Sequence, residues 1–376
     1  MGAKEAKSDF ELKLNCLPTL TWNQLRLNRT DFSRTLDLNG RGGCLIHHIP
    51  AGVIVGSSSC QYCPGCRATE EEKLDAIQTG MGKEAGRFFA ENSHDTLFIR
   101  AKCGNHQEKP LRLNYELRNG DGYVVRQRII AEEGSELTVI MDYTSDKASE
   151  GFFGVETLLY AAKGATINLV KLQLLGRGFT HFENIGAVAE EGAKLNVIQM
   201  ILGGKDNYAG LHAELLGKRS CFEGNVGYLC LNDEQLDMNY YIGHIGKKTQ
   251  SSLKVEGALR DRAVKTFRGT IDLKRGAKGA CGDEQEGTLL LSEEVRNKTL
   301  PIILCDEDDV EGTHGASIGR LSADTLFYMQ SRGIDEKAAE LLMTRAKLNT
   351  IQNKIGDEES VGRLQHFIQE SFDHEY

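Results

Sequence analysis

The chain has 376 residues, of which 40% are hydrophobic and 26% are charged, and this is enough to bury a core in two or three domains. That composition excludes a wholly disordered protein. The formal net charge of −9 lacks the basic footprint of a nucleic-acid-binding protein, so we expect no nucleic-acid partner.

Residues 1–95 are predicted to form a mixed α/β N-terminal region. Acidic residues in the first turn and the spacing of Leu74, Ile77 and Met81 predict a helix over residues 69–81. The first 13 residues are interspersed with charges and lack the apolar core of a signal peptide. The longest uncharged run, between Arg41 and Arg67, is too polar to span a membrane. These features predict a cytoplasmic protein without a membrane partner, whose ten cysteines are mostly reduced thiols.

Residues 96–321 are predicted to form a β core, because short runs such as 137–141, 167–170 and 195–198 alternate apolar and polar residues. A charged residue followed by glycine and a small residue recurs at Gly134, Gly164 and Gly192, and continues less well at Gly224 and Gly257. A period of about 30 residues predicts a stacked β solenoid. An antiparallel sandwich is the alternative, and the pattern does not decide whether one repeat is one wide coil or two narrow ones.

Residues 322–376 are predicted to form a C-terminal helical domain. Ser322 is the predicted N-cap of a helix over residues 323–331, which ends at Arg332-Gly333, and Asp335 is the predicted cap of a second helix to about residue 348. A third helix is predicted over about 357–372. These helices must pack either on the β core or on another subunit.

Three cysteines, Cys60, Cys63 and Cys66, have a spacing that can bind a metal or an iron–sulfur cluster. No fourth cysteine follows nearby, so incidental thiols in a loop remain the alternative interpretation.

Three histidines, His181, His212 and His244, lie 31 and 32 residues apart, close to the repeat period. Stacked imidazoles could bind a metal, but hydrogen-bonded structural histidines are the favoured interpretation. Residues 243–249 contain Gly-Lys but lack the remaining residues of a phosphate-binding loop, and no nucleophile motif of the Gly-x-Ser-x-Gly type occurs. We therefore expect a protein that is not an enzyme.

The segment 301–321, PIILCDEDDVEGTHGASIGRL, together with LFYMQSRGI at 326–334, closely resembles the C-terminal signature of the SufB/SufD family of iron–sulfur cluster assembly scaffolds. Weaker similarity extends over most of residues 96–348. The resemblance implies a right-handed parallel β-helix core with a C-terminal helical domain. It also implies a complex with a SufB-like paralogue and a SufC-like ABC ATPase, and a homodimer is possible for the isolated chain.

The sequence His314-Gly315-Ala316 is similar to the SufD-like form of this signature, whereas SufB-like chains have Glu after the histidine. The resemblance implies that His314 binds a transient nascent cluster at an interface with SufB. Many SufD-like chains have a cysteine at the position of Gly312, and Cys305 is a possible auxiliary thiol instead. The C-terminal helices are expected to dock the ATPase, and flavin binding stays open. A stand-alone carrier that uses Cys60, Cys63 and Cys66, and a β-helix enzyme acting on polysaccharide, are the alternative functions.

Overall fold

Most of the chain folds into two parallel β-sheets whose strands alternate along the sequence. The computed structural model describes residues 7–19, 25–57 and 71–373. Sheet 1 contains β3 (Leu45–Ile46), β6 (Leu111–Leu117), β8 (Glu136–Ser145), β10 (Thr166–Leu174), β12 (Lys194–Ile201), β14 (Cys221–Cys230), β16 (Gln250–Leu259), β18 (Ala280–Leu290) and β20 (Val310–Arg320). Sheet 2 contains β4 (Val53–Ser57), β5 (Asp95–Ala101), β7 (Asp121–Ala131), β9 (Glu150–Ala161), β11 (Gly178–Ala189), β13 (Asp206–Leu215), β15 (Gln235–His244), β17 (Val264–Leu273) and β19 (Arg296–Cys305).

One repeat is one coil that contributes a single strand to each sheet. From β5 onward, each strand pairs in parallel with the strand two positions away in sequence order, as in β8–β10–β12 and β7–β9–β11. The predicted parallel β-helix is therefore confirmed, and the antiparallel sandwich is wrong.

The recurring glycines occupy one corner of the coil. Gly134, Gly164 and Gly192 have φ values of 66°, 65° and 67°, and the N–H of each donates to a carbonyl of the next coil. Glycine adopts this left-handed conformation without a steric penalty. The series continues at Arg219 and Lys248, which have φ values of 61° and 57°. Its predicted extension to Gly224 and Gly257 is wrong, since those residues lie inside β14 and β16.

Two helices cover the outer face of sheet 1. The C-terminal helices are α3 (Ala323–Ser331), α4 (Glu336–Gln352) and α5 (Glu358–Asp373). Leu348, Leu364 and Phe372 of α4 and α5 are fully buried against apolar side chains of sheet 1. The predicted caps are confirmed, because Ser322 Oγ accepts a hydrogen bond from Thr325 N and Asp335 Oδ1 accepts one from Ala338 N. The second helix runs one turn beyond its predicted end.

An antiparallel hairpin and a short helix cover the outer face of sheet 2. The hairpin consists of β1 (Lys7–Leu14) and β2 (Thr30–Asp37), and the helix is α2 (Lys83–Asn92). Their apolar side chains form a cluster with side chains of sheet 2, including Phe88, Phe152 and Phe182. Arg268 of β17 attaches the hairpin through polar contacts, donating to Leu27 O at 2.7 Å.

The predicted helix over residues 69–81 is only partly formed. Helix α1 (Glu71–Asp75) is one turn long, and residues 76–82 then form turns and irregular backbone. A Cβ on Gly80 would lie 1.9 Å from Leu211 N, so the backbone of this segment rests directly on β13. Asn184 Oδ1 accepts from Met81 N at 2.9 Å, and Asn239 Nδ2 donates to Gly80 O at 2.8 Å. These hydrogen bonds replace those of the missing helical turns.

The two ends of the β-helix differ. At the N-terminal end, β3 and β4 each add an antiparallel strand to their sheet. At the C-terminal end, β19 and β20 are the last strands, and no described strand pairs with their outer edges. Across residues 7–19, 25–57 and 71–373, none of the helices has the length and apolar character needed to cross a membrane.

Candidate functional site

His314 lies in the interior-facing column of β20, at the open end of the β-helix. Its Cα pairs in register with Glu284 of β18, and residues paired in this way point to the same face of a parallel sheet. Glu284 points inward, since it is 2% exposed and a Cβ on Gly269 of the opposite sheet would lie 2.1 Å from its Oε2. His314 is nevertheless exposed, because β20 is the last strand and no further coil covers it.

The opposite wall at this level is formed by β19. Gly269 of β17 lies across the interior from Glu284 of β18. In the next coil, Pro301 is the register partner of Gly269, and His314 is the register partner of Glu284. Pro301 is therefore the residue across the interior from His314. The outer edges of β19 and β20 have backbone groups without a partner strand among the described residues.

The side chain of Glu284 lies one coil below that of His314, and its carboxyl group lies against Gly269 of the opposite sheet. This side chain is 2% exposed, and it makes no hydrogen bond or ion pair within the described part of the chain. Burial raises the pKa of Glu284 to about 8, and the negative charges of Glu286 and Asp283 add to this effect, while Lys265 opposes it.

The neighbouring inward carboxylate, Glu286, is paired through one of its two oxygens, Oε1. Lys265 and Glu286 form a buried ion pair, with side chains 0% and 1% exposed. Thr288 Oγ1 donates to Glu286 Oε1 at 3.1 Å, and the Tyr228 hydroxyl lies 2.8 Å from Thr288 Oγ1. Burial lowers the pKa of Lys265, and the Glu286 carboxylate offsets part of that shift.

Cys305 ends β19 at the same end of the molecule. Its thiol is exposed and donates to Glu307 O at 3.2 Å. Because Pro301 faces His314, Cys305 lies four residues beyond the facing position, about 13 Å along the strand. Gly312 is closer to His314 along β20 and also faces inward, since a Cβ there would lie 3.3 Å from Ile303 and Leu273.

The predicted cysteine ligands Cys60, Cys63 and Cys66 lie outside the described residues. Within the described ranges, no three His, Cys, Asp or Glu side chains converge in a way that could hold a metal ion. The seven cysteines of those ranges are free thiols.

The three periodic histidines do not form a ladder. His181 pairs in register with Asn207, His212 with Tyr241, and His244 with Leu273. The favoured interpretation as hydrogen-bonded structural histidines is supported, since His181 Nδ1 lies 2.8 Å from Phe153 O and the two nitrogens of His244 lie within hydrogen-bond distance of Thr249 and Ser251.

Glu284 was missed by reasoning from motifs, although the sequence holds a signal for it. It precedes His314 by 30 residues, the same separation as between Gly134 and Gly164 in consecutive coils. Counting back one repeat from the signature histidine therefore leads to Glu284.

A second surface lies on the C-terminal helices. Phe327 and Tyr328 of α3 are 72% and 59% exposed, and Leu342 of α4 is 50% exposed. Helices α4 and α5 pack on sheet 1, whereas α3 buries only Met329. The adjacent side chains of Phe327 and Tyr328 on α3, and that of Leu342 on α4, thus remain largely exposed within the described chain.

Comparison with known proteins agrees with this architecture. Residues 115–347 match the family model "SUF system FeS cluster assembly, SufBD core domain". The chain is 26% identical over 229 residues to the iron–sulfur cluster assembly protein SufD of Bacillus subtilis, covering 60% of this chain and 52% of that protein. It is 25% identical over 265 residues to SufD of Escherichia coli, covering 69% of this chain and 63% of that protein. It is also 25% identical over 311 residues to a SufBD family protein of Synechocystis, covering 78% and 65%.

The chain thus spans between about half and two thirds of the length of these relatives. The family model covers more than half of this chain, including β18, β20 and the residue pair Glu284 and His314. From the match and the β-helix together, we conclude that the chain belongs to the SufBD family of iron–sulfur cluster assembly proteins.

Proposed function

We propose that this chain is the SufD-like subunit of a Suf scaffold, in which it contributes His314 to a nascent iron–sulfur cluster shared with a SufB-like paralogue. The observation that carries the proposal is the position of His314, which is exposed and inward-facing at the open end of the β-helix. Neutral imidazole is a suitable ligand for iron. The described residues offer no complete ligand set, so the remaining ligands are assigned to the partner.

The open edges of β19 and β20 support a partner of the same architecture. These strands are 10 and 11 residues long and end their sheets. An unpaired strand edge is a template for pairing with another chain. A second β-helix with two open edges would pair with both sheets at once, and His314 would then lie inside the junction. In the absence of a SufB-like partner, a second copy of this chain would pair in its place as a homodimer.

A SufC-like ATPase is proposed to dock on α3. Phe327 and Tyr328 are the exposed apolar side chains of this helix, and Leu342 lies on the following helix. Helices α4 and α5 cover the apolar outer face of sheet 1, so deletion of residues 322–376 would also expose that face. Point substitutions in α3 therefore test docking without removing this cover.

The proposed role is non-catalytic and cytoplasmic. The cluster is cargo that is assembled and released, and ATP hydrolysis belongs to the partner ATPase. The isolated chain should show no hydrolysis of ATP, peptide, ester or glycosidic bonds above background. Activity that follows the protein through purification would contradict this part of the proposal.

The test of the cluster role is His314→Ala in the three-protein complex purified under anaerobic conditions. We expect normal assembly and a large loss of iron, sulfide and visible absorption, because one cluster ligand is removed. His314→Cys should restore part of the cluster, since thiolate also binds iron, and Cys305→Ser should have a smaller effect. His366→Ala is the matched control, because His366 is an exposed histidine on α5. Wild-type cluster content in the His314→Ala complex would refute the ligand role.

The test of ATPase docking is the double substitution Phe327→Ala/Tyr328→Ala. We expect the variant to keep its circular dichroism spectrum and to lose co-elution with the ATPase in size-exclusion chromatography. Leu45→Ala is the control, since Leu45 is 54% exposed on β3, far from α3 in the sequence. Unchanged co-elution of the double variant would place the docking surface elsewhere.

A further inference from the structure

We propose that Glu284 is a second metal ligand of this chain, which with His314 forms a His–Glu pair that binds ferrous iron at the open end of the β-helix. This inference rests on the proposed function, because it adds a ligand to the same interfacial site.

The backbone places the two residues within reach of one ion. Glu284 and His314 are register partners on adjacent parallel strands, whose spacing is about 4.8 Å. Both side chains face the interior. Because β20 is the last strand of sheet 1, His314 is the one described residue of the inward-facing row that lies between Glu284 and the open end. An ion that enters from the open end therefore meets His314 first and Glu284 next.

Glu284 is the available carboxylate of its strand. Asp283 faces outward and accepts a hydrogen bond from Thr313 Oγ1 at 2.5 Å. Glu286 faces inward but is paired with Lys265. Glu284 alone among these three acidic residues is buried without a hydrogen bond or ion pair in the described structure.

Gly269 provides the space that the Glu284 side chain occupies. A Cβ at this position would lie 2.1 Å and 2.5 Å from the two carboxylate oxygens of Glu284, so a larger residue would displace the carboxyl group. A buried polar group that lacks a partner is costly unless another role retains it. Coordination of a cation would satisfy this carboxylate.

The donor types indicate the ion. One imidazole nitrogen and one carboxylate oxygen are ligands typical of ferrous iron before it is bound by sulfur, whereas soft thiolates favour iron–sulfur clusters and copper. The pair would hold iron on this side of the interface, and sulfur and the remaining ligands would come from the partner. No electron transfer is required for this binding step.

The experiment measures ferrous iron affinity of the isolated full-length chain under anaerobic conditions, by competition with a chromophoric chelator over micromolar to millimolar iron. Glu284→Gln keeps the shape of a protonated glutamate and removes the anionic ligand. We expect this substitution and His314→Ala each to weaken iron binding at least about tenfold. Glu234→Gln is the matched control, because Glu234 is also a buried glutamate but lies in the turn before β15, and it should bind iron as the wild type does.

Circular dichroism and the melting temperature establish that each variant is folded. Wild-type iron affinity in folded Glu284→Gln would overturn the inference, and so would a wild-type chain that binds no ferrous iron over this range. If Glu284→Gln does not fold, Glu284→Asp serves as the second variant, because shortening the side chain should still weaken iron binding.

Cluster content of the complex separates this inference from the proposed function. If His314→Ala loses the cluster and Glu284→Gln retains it, the pair is refuted and the proposed function stands. If His314→Ala complexes keep the whole cluster, the proposed function fails, while the iron affinities of the isolated chain still decide whether the pair binds iron.

Discussion

Substitution of Glu234 should remove a defined part of the pH dependence of stability. Glu234 is 5% exposed, and its Oε2 accepts a hydrogen bond from Leu231 N at 2.8 Å. Burial raises the pKa of Glu234 from 4.5 to about 8, and this effect exceeds the opposing ones of the Leu231 hydrogen bond and the Arg177 charge. At neutral pH the folded protein therefore holds a proton on Glu234 that the unfolded chain releases.

Proton linkage determines the sign and the size of the effect of pH on the free energy of unfolding. Since the folded state binds the additional proton, its stability is greatest below the unfolded pKa and falls as the pH rises toward about 8. Each pH unit in this window changes the free energy of unfolding by about 1.4 kcal/mol. Between about pH 5 and about pH 8, ionisation of Glu234 should therefore cost the wild type about 4 kcal/mol. Glutamine cannot ionise, so Glu234→Gln should lack this contribution.

The assay is urea unfolding followed by circular dichroism at several pH values across this window. Wild type and Glu234→Gln are compared by the slope of the free energy of unfolding against pH. The slope is used because glutamine also changes the local hydrogen bonding, by an amount that does not depend on pH. Glu133→Gln is the control for loss of one carboxylate, since Glu133 is exposed in the turn before β8. Parallel stability curves for wild type and Glu234→Gln would refute the reasoning.

Three further substitutions test the packing of the coil and of its covering elements. Arg268→Met should destabilise the fold by about 3–5 kcal/mol, because the buried Asp237 carboxylate loses its cation. Hydrogen exchange should increase first in β1 and β2. Unchanged exchange there would contradict the role of Arg268 in attaching the hairpin. Phe372→Ala should lower the free energy of unfolding in urea by about 3–5 kcal/mol, because this fully buried side chain would leave a cavity between α5 and sheet 1. A change near zero would show that the helix is not packed there. Lys248→Gly should raise the melting temperature and the free energy of unfolding, the latter by about 1 kcal/mol, because it removes the cost of a non-glycine residue in the left-handed conformation. An equal gain in the neighbouring control Lys247→Gly would disprove that explanation.

Several features of this protein follow from local sequence patterns. Alternation of apolar and polar residues correctly predicted strands at 137–141, 167–170 and 195–198, because side chains of a strand alternate between two faces. The capping residues Ser322 and Asp335 also predicted their helices, since the hydrogen bonds that start a helix are made within a few residues.

Other features depend on how the coils stack. The glycine series could not be extended correctly, because Arg219 and Lys248 adopt the left-handed conformation in later coils at positions where glycine is not required. The helix predicted to Met81 ends early because the backbone at Gly80 rests on a neighbouring strand, a contact between residues more than a hundred positions apart. Local periodicity carries no information on such contacts.

In the candidate site, too, some features follow from the local sequence and others from the stacking of the coils. The sequence by itself singled out His314 through a long signature, and it predicted a solenoid. The tertiary structure decided that His314 is a register partner of Glu284, that Glu286 is already paired with Lys265, and that β20 is an open edge. The physical reason is that the pattern within a strand reports which side chains face inward, whereas the neighbours of those side chains are set by coil length and strand register, which arise only when the coils stack.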